Sequence, residues 1–401
     1  MVLKSKTEVD DLVQEHEETF RVHSRVYTDP AIFELEMEHI FEKVWVYVGH
    51  ESEIPEGGNY KTAMVGRQPV IITRNSDDGK VYGLINACRH RGSNVCHEAY
   101  GTANYFRCSY HGWVYDNRGG LVGVPGQEAY GDSFNIREMG LDHVPRLAIY
   151  RGFIFVSFDP EGPTLEEHLG NAKPYIDTFA GMGPEGIELK AGAHKFGYDA
   201  NWKWQLDNTV DGYHAQFTHR SYFDIVGRRI GHPLSMSRTQ DLGVWDLGNG
   251  HGVLDMMQGG VQAQDGRPGP MTTPGFNISI FPNLALLFSQ VRHIIPVAVN
   301  RTLVQQLPVR LKGVANEFNT QRLREHEDFY GPGGFAAPDD WEMYGRCQKG
   351  LANGDRWVNL SRGLKYEKTD ELGRRGTHQD DESSQRAIYR HWKRLMASVL
   401  T

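Results

Sequence analysis

The spacing of apolar residues changes character along the chain. Asp29-Pro30 reads as an N-cap followed by proline at the first helical position. Ile32, Phe33, Leu35, Met37, Ile40 and Phe41 then recur at helical spacing, which predicts a helix to about Lys43. Beyond it the runs 69–74, 81–88, 105–110 and 152–158 are short, β-branched or aromatic, and bounded by Gly, Asn and Asp. They predict a small antiparallel β domain, with Asn117-Arg118-Gly119-Gly120 as one of its turns. Asp159-Pro160-Glu161-Gly162-Pro163 marks a boundary, and Thr164-Leu165-Glu166-Glu167 reads as a capping box opening a helix. Helical and strand patterns then mix, giving an α+β class. Residues 248–275 are rich in Gly, Gln and Pro and read as a long functional or mobile loop. Ile388, Tyr389, Trp392, Leu395 and Met396 predict a closing helix. The expected domains are a helical segment at 1–43, a β domain at 44–159 and a larger α+β domain at 160–401.

Composition narrows the class. The 401 residues carry a formal charge of −8, which speaks against a nucleic-acid binder. No apolar run approaches the roughly 18 residues of a membrane span. The N-terminus lacks the apolar stretch of a secretory signal. Four cysteines are too few for a disulfide scaffold, so the expected setting is a reducing cytoplasm. Cys96 and Cys347 are expected to be reduced, partly buried thiols.

The other two cysteines carry chemistry. Cys88-Arg89-His90 and Cys108-Ser109-Tyr110-His111 each pair a thiolate with an imidazole. Two Cys and two His suit a Rieske [2Fe-2S] cluster, with a potential of about −150 to +300 mV. The same donors suit tetrahedral zinc. Zinc fingers, however, group Cys with Cys and His with His, whereas both halves here are mixed and lie among β runs. Cys96-His97 lies between the halves and has no matching second pair, so packing is its expected role. Gly92 and Gly112 fit tight ligand loops, whose N–H groups could tune the potential.

A second constellation follows at 207–219. Two His and a distant carboxylate form the facial triad of non-haem iron(II), with positions left open for oxygen. Asp207, Asp211 and His214 step by four and three, so one helix would align them. His219 lies about 140° round from His214, so the helix must bulge, end or bend between the two. A carboxylate beside His214 can accept its free ring N–H. The third ligand is expected at Asp340, ahead of its neighbour Asp339, with Asp380-Asp381 as the fallback. Asn208, Phe217 and the strand around Arg292 are expected to line a substrate pocket, with Arg292 or Arg220 able to meet an aromatic carboxylate.

Taken together, the chain resembles the catalytic α subunits of Rieske non-haem iron aromatic ring-hydroxylating oxygenases. The resemblance rests on Cys88-x-His90, Cys108-x-x-His111-Gly112-Trp113, and Asn201-Trp202-Lys203. It continues through Asp211-x-x-His214-x-x-x-x-His219, Phe281-Pro282-Asn283-Leu284 with Arg292, and Pro338-Asp339-Asp340. With Cys347-Gln348-Lys349-Gly350, the last run looks most like the benzoate and anthranilate branch. The resemblance implies a helix-grip catalytic domain with a mainly antiparallel sheet, and a homotrimer or an α3β3 assembly. It implies cluster ligands Cys88, His90, Cys108 and His111, and iron(II) held by His214, His219 and Asp340. Asp211 would link His214 to His111 of a neighbouring subunit. Electrons would come from a separate NAD(P)H-dependent reductase, with or without a ferredoxin, because the chain has no Gly-x-Gly-x-x-Gly loop. The implied reaction is hydroxylation of an aromatic ring by O2, as cis-dihydroxylation or, alternatively, as monooxygenation or demethylation. Many relatives carry Glu where this chain has Asp207, which leaves the role of Asp207 open. A Rieske carrier would need only the first third of the chain.

Overall fold

The structure is a computed structural model that describes residues 6–231, 242–256 and 275–399. Its contacts divide the chain into two compact units, Phe41–Leu165 and a second formed by Met1–Ile40 with Glu166–Thr401.

The first unit is built from short antiparallel strands. Val81–Ile85, Gln68–Arg74, Asn59–Val65 and Tyr100–Thr102 form one sheet in that order. Leu121–Gly123, Val114–Asp116 and Tyr105–Arg107 form a second, and Arg146–Tyr150, Phe153–Ser157 and Val46–His50 a third. The turn at 117–120 is closed by Asp116, whose Oδ1 accepts from the backbone N–H of Arg118 and of Gly120, both at 2.9 Å. Ile71, Leu84, Phe106, Trp113 and Tyr115 pack with Cys88, Cys96 and Cys108 in a common core.

In the second unit the Asp29 side chain caps a helix at Pro30–Glu36 by accepting from Ala31 N–H. The α-helix stops short of the expected Lys43, and a π-helical turn, Met37–Phe41, follows. Ahead of it the segment is not purely helical. Val13–Glu15 and Phe20–His23 are strands, joined to Trp357–Asn359. The main sheet has nine antiparallel strands among the described residues. Their order is His194–Tyr198, Arg301–Pro308, Gln290–Ala298, Leu284–Leu287, Phe276–Ile280, His251–Asp255, Leu242–Gly248, Arg375–His378 and Lys368–Thr369. Part of the expected loop at 248–275 is therefore strand, while 257–274 lies outside the described residues.

The closing helix, Ser383–Val399, buries Ile388, Tyr389, Trp392 and Met396. It lies directly on the sheet: a Cβ added to Gly252 would sit 2.5 Å from the Ser384 carbonyl oxygen. Strand pleating puts Leu254 on the same face as Gly252. Leu254 pairs with Asn277, and Asn277 with Leu287, so these three continue one row on that face. The sheet therefore grips the helix and floors a cavity with the same surface. On the opposite face Tyr175 meets Phe276 edge-on at 5.1 Å.

Candidate cluster and metal sites

In the first unit the two ligand loops are built alike. Gly92 N–H donates to Cys88 O at 2.8 Å, and Gly112 N–H donates to Cys108 O at 3.0 Å. Each loop closes with a 2.8 Å bond from the Cys N–H, to Ser93 O in one and Trp113 O in the other. Gly92 and Gly112 have φ of 73° and 74°, a left-handed conformation that glycine adopts without strain. The loops bring the rings of His90 and His111 to 4.4 Å between centroids. His90 stacks on Trp113 at 5.1 Å.

The donors fit a [2Fe-2S] cluster. Cys88 and Cys108 are 4% and 2% exposed and form no disulfide. His90 Nδ1 is buried without a hydrogen-bond partner. Sequence reasoning missed Tyr115, whose hydroxyl lies 3.2 Å from Cys88 Sγ and accepts from Arg89 N–H at 3.1 Å. The available signal was its position two residues past Trp113, with which it shares the core around the two cysteines. Cys96 is buried in the core, as packing requires, whereas Cys347 is exposed rather than partly buried.

In the second unit the expected single helix is replaced by a broken one. The first piece, Lys203–Thr209, ends before Asp211, and Ala215–Thr218 and Arg220–Ile230 follow. Asp211 is therefore not on the helical face of Asp207. Its Oδ1 instead accepts from Tyr213 N–H at 2.9 Å and His214 N–H at 3.1 Å, which starts the next turn. The break swings His214 and His219 onto one centre, their rings 5.4 Å apart. The hydroxyl of Tyr389 donates to Asp207.

Asp340 arrives in the first turn of helix Ala337–Leu351, near the fixed position of Pro338. Its Oδ1 lies 3.2 Å from His219 Nε2 and 3.5 Å from His214 Nε2. Ligands about 2.0–2.2 Å from one ion are separated by comparable distances. The donors of the three residues all lie within 4.8 Å of one another. His219 and Asp340 are 2% and 6% exposed. Asp339 faces the other ring nitrogen of His219 at 3.7 Å and its side chain is 40% exposed. The fallback Asp381 lies 3.8 Å from Arg362. These donors suit a facial iron site.

Asp211 Oδ1 lies 3.5 Å from His214 Nδ1, the ring nitrogen remote from Asp340. Burial pushes the Asp211 carboxyl up, but His214 and the two backbone N–H groups outweigh this and hold it below the usual carboxylate range.

A cavity of about 490 Å³ opens beside these atoms. His214, His219, Asp340, Asn208 and Arg292 all line it. Asn208 Nδ2 donates to Asp340 Oδ1 and His214 Nε2, each at 3.1 Å, so it belongs to the metal-facing set as well as to the wall. Phe217 is a correction: it is 71% exposed and absent from the cavity lining, because its short helix presents it to solvent. Arg220 is likewise largely exposed, its side chain 80% accessible. Arg292 is 1% exposed, and its Nη1 has no hydrogen-bond partner. Among the described residues no carboxylate lies within ion-pair distance of it.

Sequence reasoning also missed a polar group at the far wall, where Ser289 and His326 line the cavity and Gln306 backs His326. Its signal was a Gln beside the apolar end, Leu307-Pro308, of its strand. His194, His326 and Glu327 bring further possible metal donors within 4.8 Å. Both ring nitrogens of His326 are already engaged, by Ser289 and Gln306. The group is therefore an internal hydrogen-bond cluster.

The helix-gripping sheet, the paired Cys-His loops and the convergent His, His and Asp define a Rieske-type ring-hydroxylating oxygenase. The comparisons agree. Residues 44–147 match the Rieske [2Fe-2S] domain, and residues 177–398 match the catalytic domain of ring-hydroxylating α subunits. The chain belongs to the ring-hydroxylating α-subunit family, whose cofactors are this cluster and a mononuclear iron. It is 34% identical to the large subunit of 2-halobenzoate 1,2-dioxygenase of Burkholderia cepacia, over 86% of this chain and 81% of that one. It is also 34% identical to the α subunit of toluate 1,2-dioxygenase of Pseudomonas putida, over 98% and 95%. Naphthalene 1,2-dioxygenase from Rhodococcus sp., solved with indole bound, superposes with a TM-score of 0.82 at 29% identity, covering 94% of each chain. No helix among the described residues is long and apolar enough to cross a membrane.

Proposed function

We propose that this chain is the catalytic subunit of a terminal oxygenase that converts an aromatic carboxylate to a cis-dihydrodiol. One observation carries the substrate class. Arg292, buried and without a carboxylate partner, opens on the same cavity as His214, His219 and Asp340. A buried guanidinium gains strongly from a planar anion that restores its missing charge-assisted bonds. Of the four acidic groups on the lining, Asp340 faces the metal donors and Asp211 faces His214, while Glu325 and Asp328 are partly or fully exposed, so water screens them. The two relatives are named for halobenzoate and toluate, both aromatic acids.

Cys88, His90, Cys108 and His111 hold the cluster, and His214, His219 and Asp340 hold the iron. Groups so held supply one-electron transfer and open positions for oxygen. Asp211 positions His214 and offers its carboxylate to the partner subunit's His111, in a homotrimer or an α3β3 assembly. Asp339 backs the far nitrogen of His219. Leu254, Leu287 and Phe329 keep the ring in an apolar space. Electrons come from a separate NAD(P)H-dependent reductase, with or without a ferredoxin, in the cytoplasm.

The test is turnover of benzoate under ¹⁸O₂ with a generic reductase. A diol carrying both labelled atoms is the expected product. One labelled atom and no diol would assign the chain to the monooxygenases instead.

A further inference from the structure

The strand register puts Arg292 directly opposite Gln306, and Gln306 in turn opposite His194, on the face that floors the cavity. The Gln306 side chain has a fixed orientation. Its Nε2 donates to the carbonyl oxygen of Tyr330 at 2.8 Å, and a carbonyl can only accept. The same nitrogen lies 3.2 Å from His326 Nε2. An amide nitrogen can only donate, so His326 Nε2 must be the acceptor.

That contact sets the tautomer of His326. A neutral imidazole has one donor and one acceptor nitrogen, so the proton sits on Nδ1. The ring is neutral: it is 1% exposed, and burial, with the charges of His194, Arg292 and Arg322 adding, lowers its pKa to about 3. His326 Nδ1 lies 3.3 Å from Ser289 Oγ, so the serine oxygen accepts. The Ser289 hydroxyl hydrogen is left for the cavity, which Ser289 lines together with Arg292 and His326.

We propose that Gln306, His326 and Ser289 form a one-way hydrogen-bond relay that makes the Ser289 hydroxyl a second donor, beside Arg292, for the substrate carboxylate. This rests on the aromatic-acid reading above. The relay adds selectivity. A ligand without the carboxylate leaves both donors unpaired in a buried place, which costs more than the lost contact alone. Ser289 touches the ligand, and Gln306 and His326 are positioning residues.

The experiment measures calorimetric affinities of benzoate and toluene for the holoenzyme, without reductant so that nothing turns over. Loss of one hydrogen bond to a charged group predicts benzoate binding weaker by roughly tenfold or more in Ser289→Ala. Toluene affinity stays unchanged, and Ser289→Thr, which keeps the hydroxyl, binds benzoate as the wild type does. Gln306→Met removes the donor that sets the His326 tautomer without placing a charge opposite Arg292. It too loses benzoate affinity selectively, although residue 306 does not touch the ligand. Unaltered benzoate binding in Ser289→Ala, or equal weakening of both ligands, overturns the relay. A wild type that does not prefer benzoate, or an Arg292→Gln variant that binds it normally, overturns the aromatic-acid reading itself.

Discussion

Asp211 holds its carboxylate 3.5 Å from Nδ1 of His214 while the same oxygen accepts two backbone N–H bonds. One side chain thus starts the turn that carries His214 and also presents a negative charge to the ring. The two jobs separate experimentally. Asp211→Asn keeps an oxygen for the turn and removes the charge. It is expected to retain both metals and the thermal stability of the wild type. Coupled turnover should fall by roughly 10–100-fold or more, as for other groups that orient a metal-bound His. Single-turnover kinetics, following bleaching of the cluster against product, checks this. Normal coupling in the variant would remove Asp211 from the electron path.

Asp340 and Asp339 are neighbours with unequal access to the two histidines. Asp340→Asn is expected to lose about one iron per chain while the cluster absorption persists, because a neutral amide is a poor substitute for a facial carboxylate. Asp339→Asn should keep its full iron content. Metal analysis alongside visible spectra separates the two.

Tyr115 is expected to raise the cluster potential. A hydroxyl donating to Cys88 Sγ stabilises the more negative, reduced state. Tyr115→Phe removes that donor and leaves the ring packed in the core. A differential of about 1 kcal/mol corresponds to a fall of roughly 40 mV for one electron. Protein-film voltammetry reads the change, and an unaltered potential would show that the hydroxyl does not donate to the sulfur.

Acid sensitivity follows from the interior histidines. His251 is wholly buried and uses both neutral-ring roles: Nδ1 accepts from Phe281 N–H at 3.0 Å, and Nε2 lies 2.8 Å from His168 O. Burial lowers its pKa from 6.5 to about 4, with the His168 carbonyl opposing. Between those values the unfolded chain binds a proton that the native state does not. Stability is therefore fully present above pH 6.5 and is lost as pH falls toward 4. By about pH 5 this one side chain accounts for roughly 2 kcal/mol. His50, in the other unit, is also lowered to about 4 by burial and adds in the same direction. Denaturant unfolding at stepped pH should show the slope, and His251→Gln should flatten it.

The sequence showed much of this plainly, and the reason is local chemistry. The Cys88 and Cys108 loops are short motifs whose residue types imply their geometry. The strand at 69–74 follows from alternation and turn residues, whereas of the run 105–110 only Tyr105–Arg107 is strand, because Cys108 opens a ligand loop. The helix break between Thr209 and Ala215 was not legible in position. The periodicity of Asp207, Asp211 and His214 is perfect for a helix, and what stops the helix is the side chain of Asp211 competing for backbone N–H groups. Phe217 was misplaced because that break also changed which way its turn faces. The cluster of Ser289, Gln306 and His326 joins a hairpin, a strand and a helix. No spacing rule connects residues so far apart in the chain.

Pleating gives each central strand two independent surfaces. Arg292 faces the cavity and Gln306 packs beside it on the same face, while Val291 and His293 point away from it. A single substitution at 292 therefore redraws the floor and leaves the packing behind it intact. New aromatic diets can be acquired one residue at a time, with the costly redox apparatus inherited unchanged.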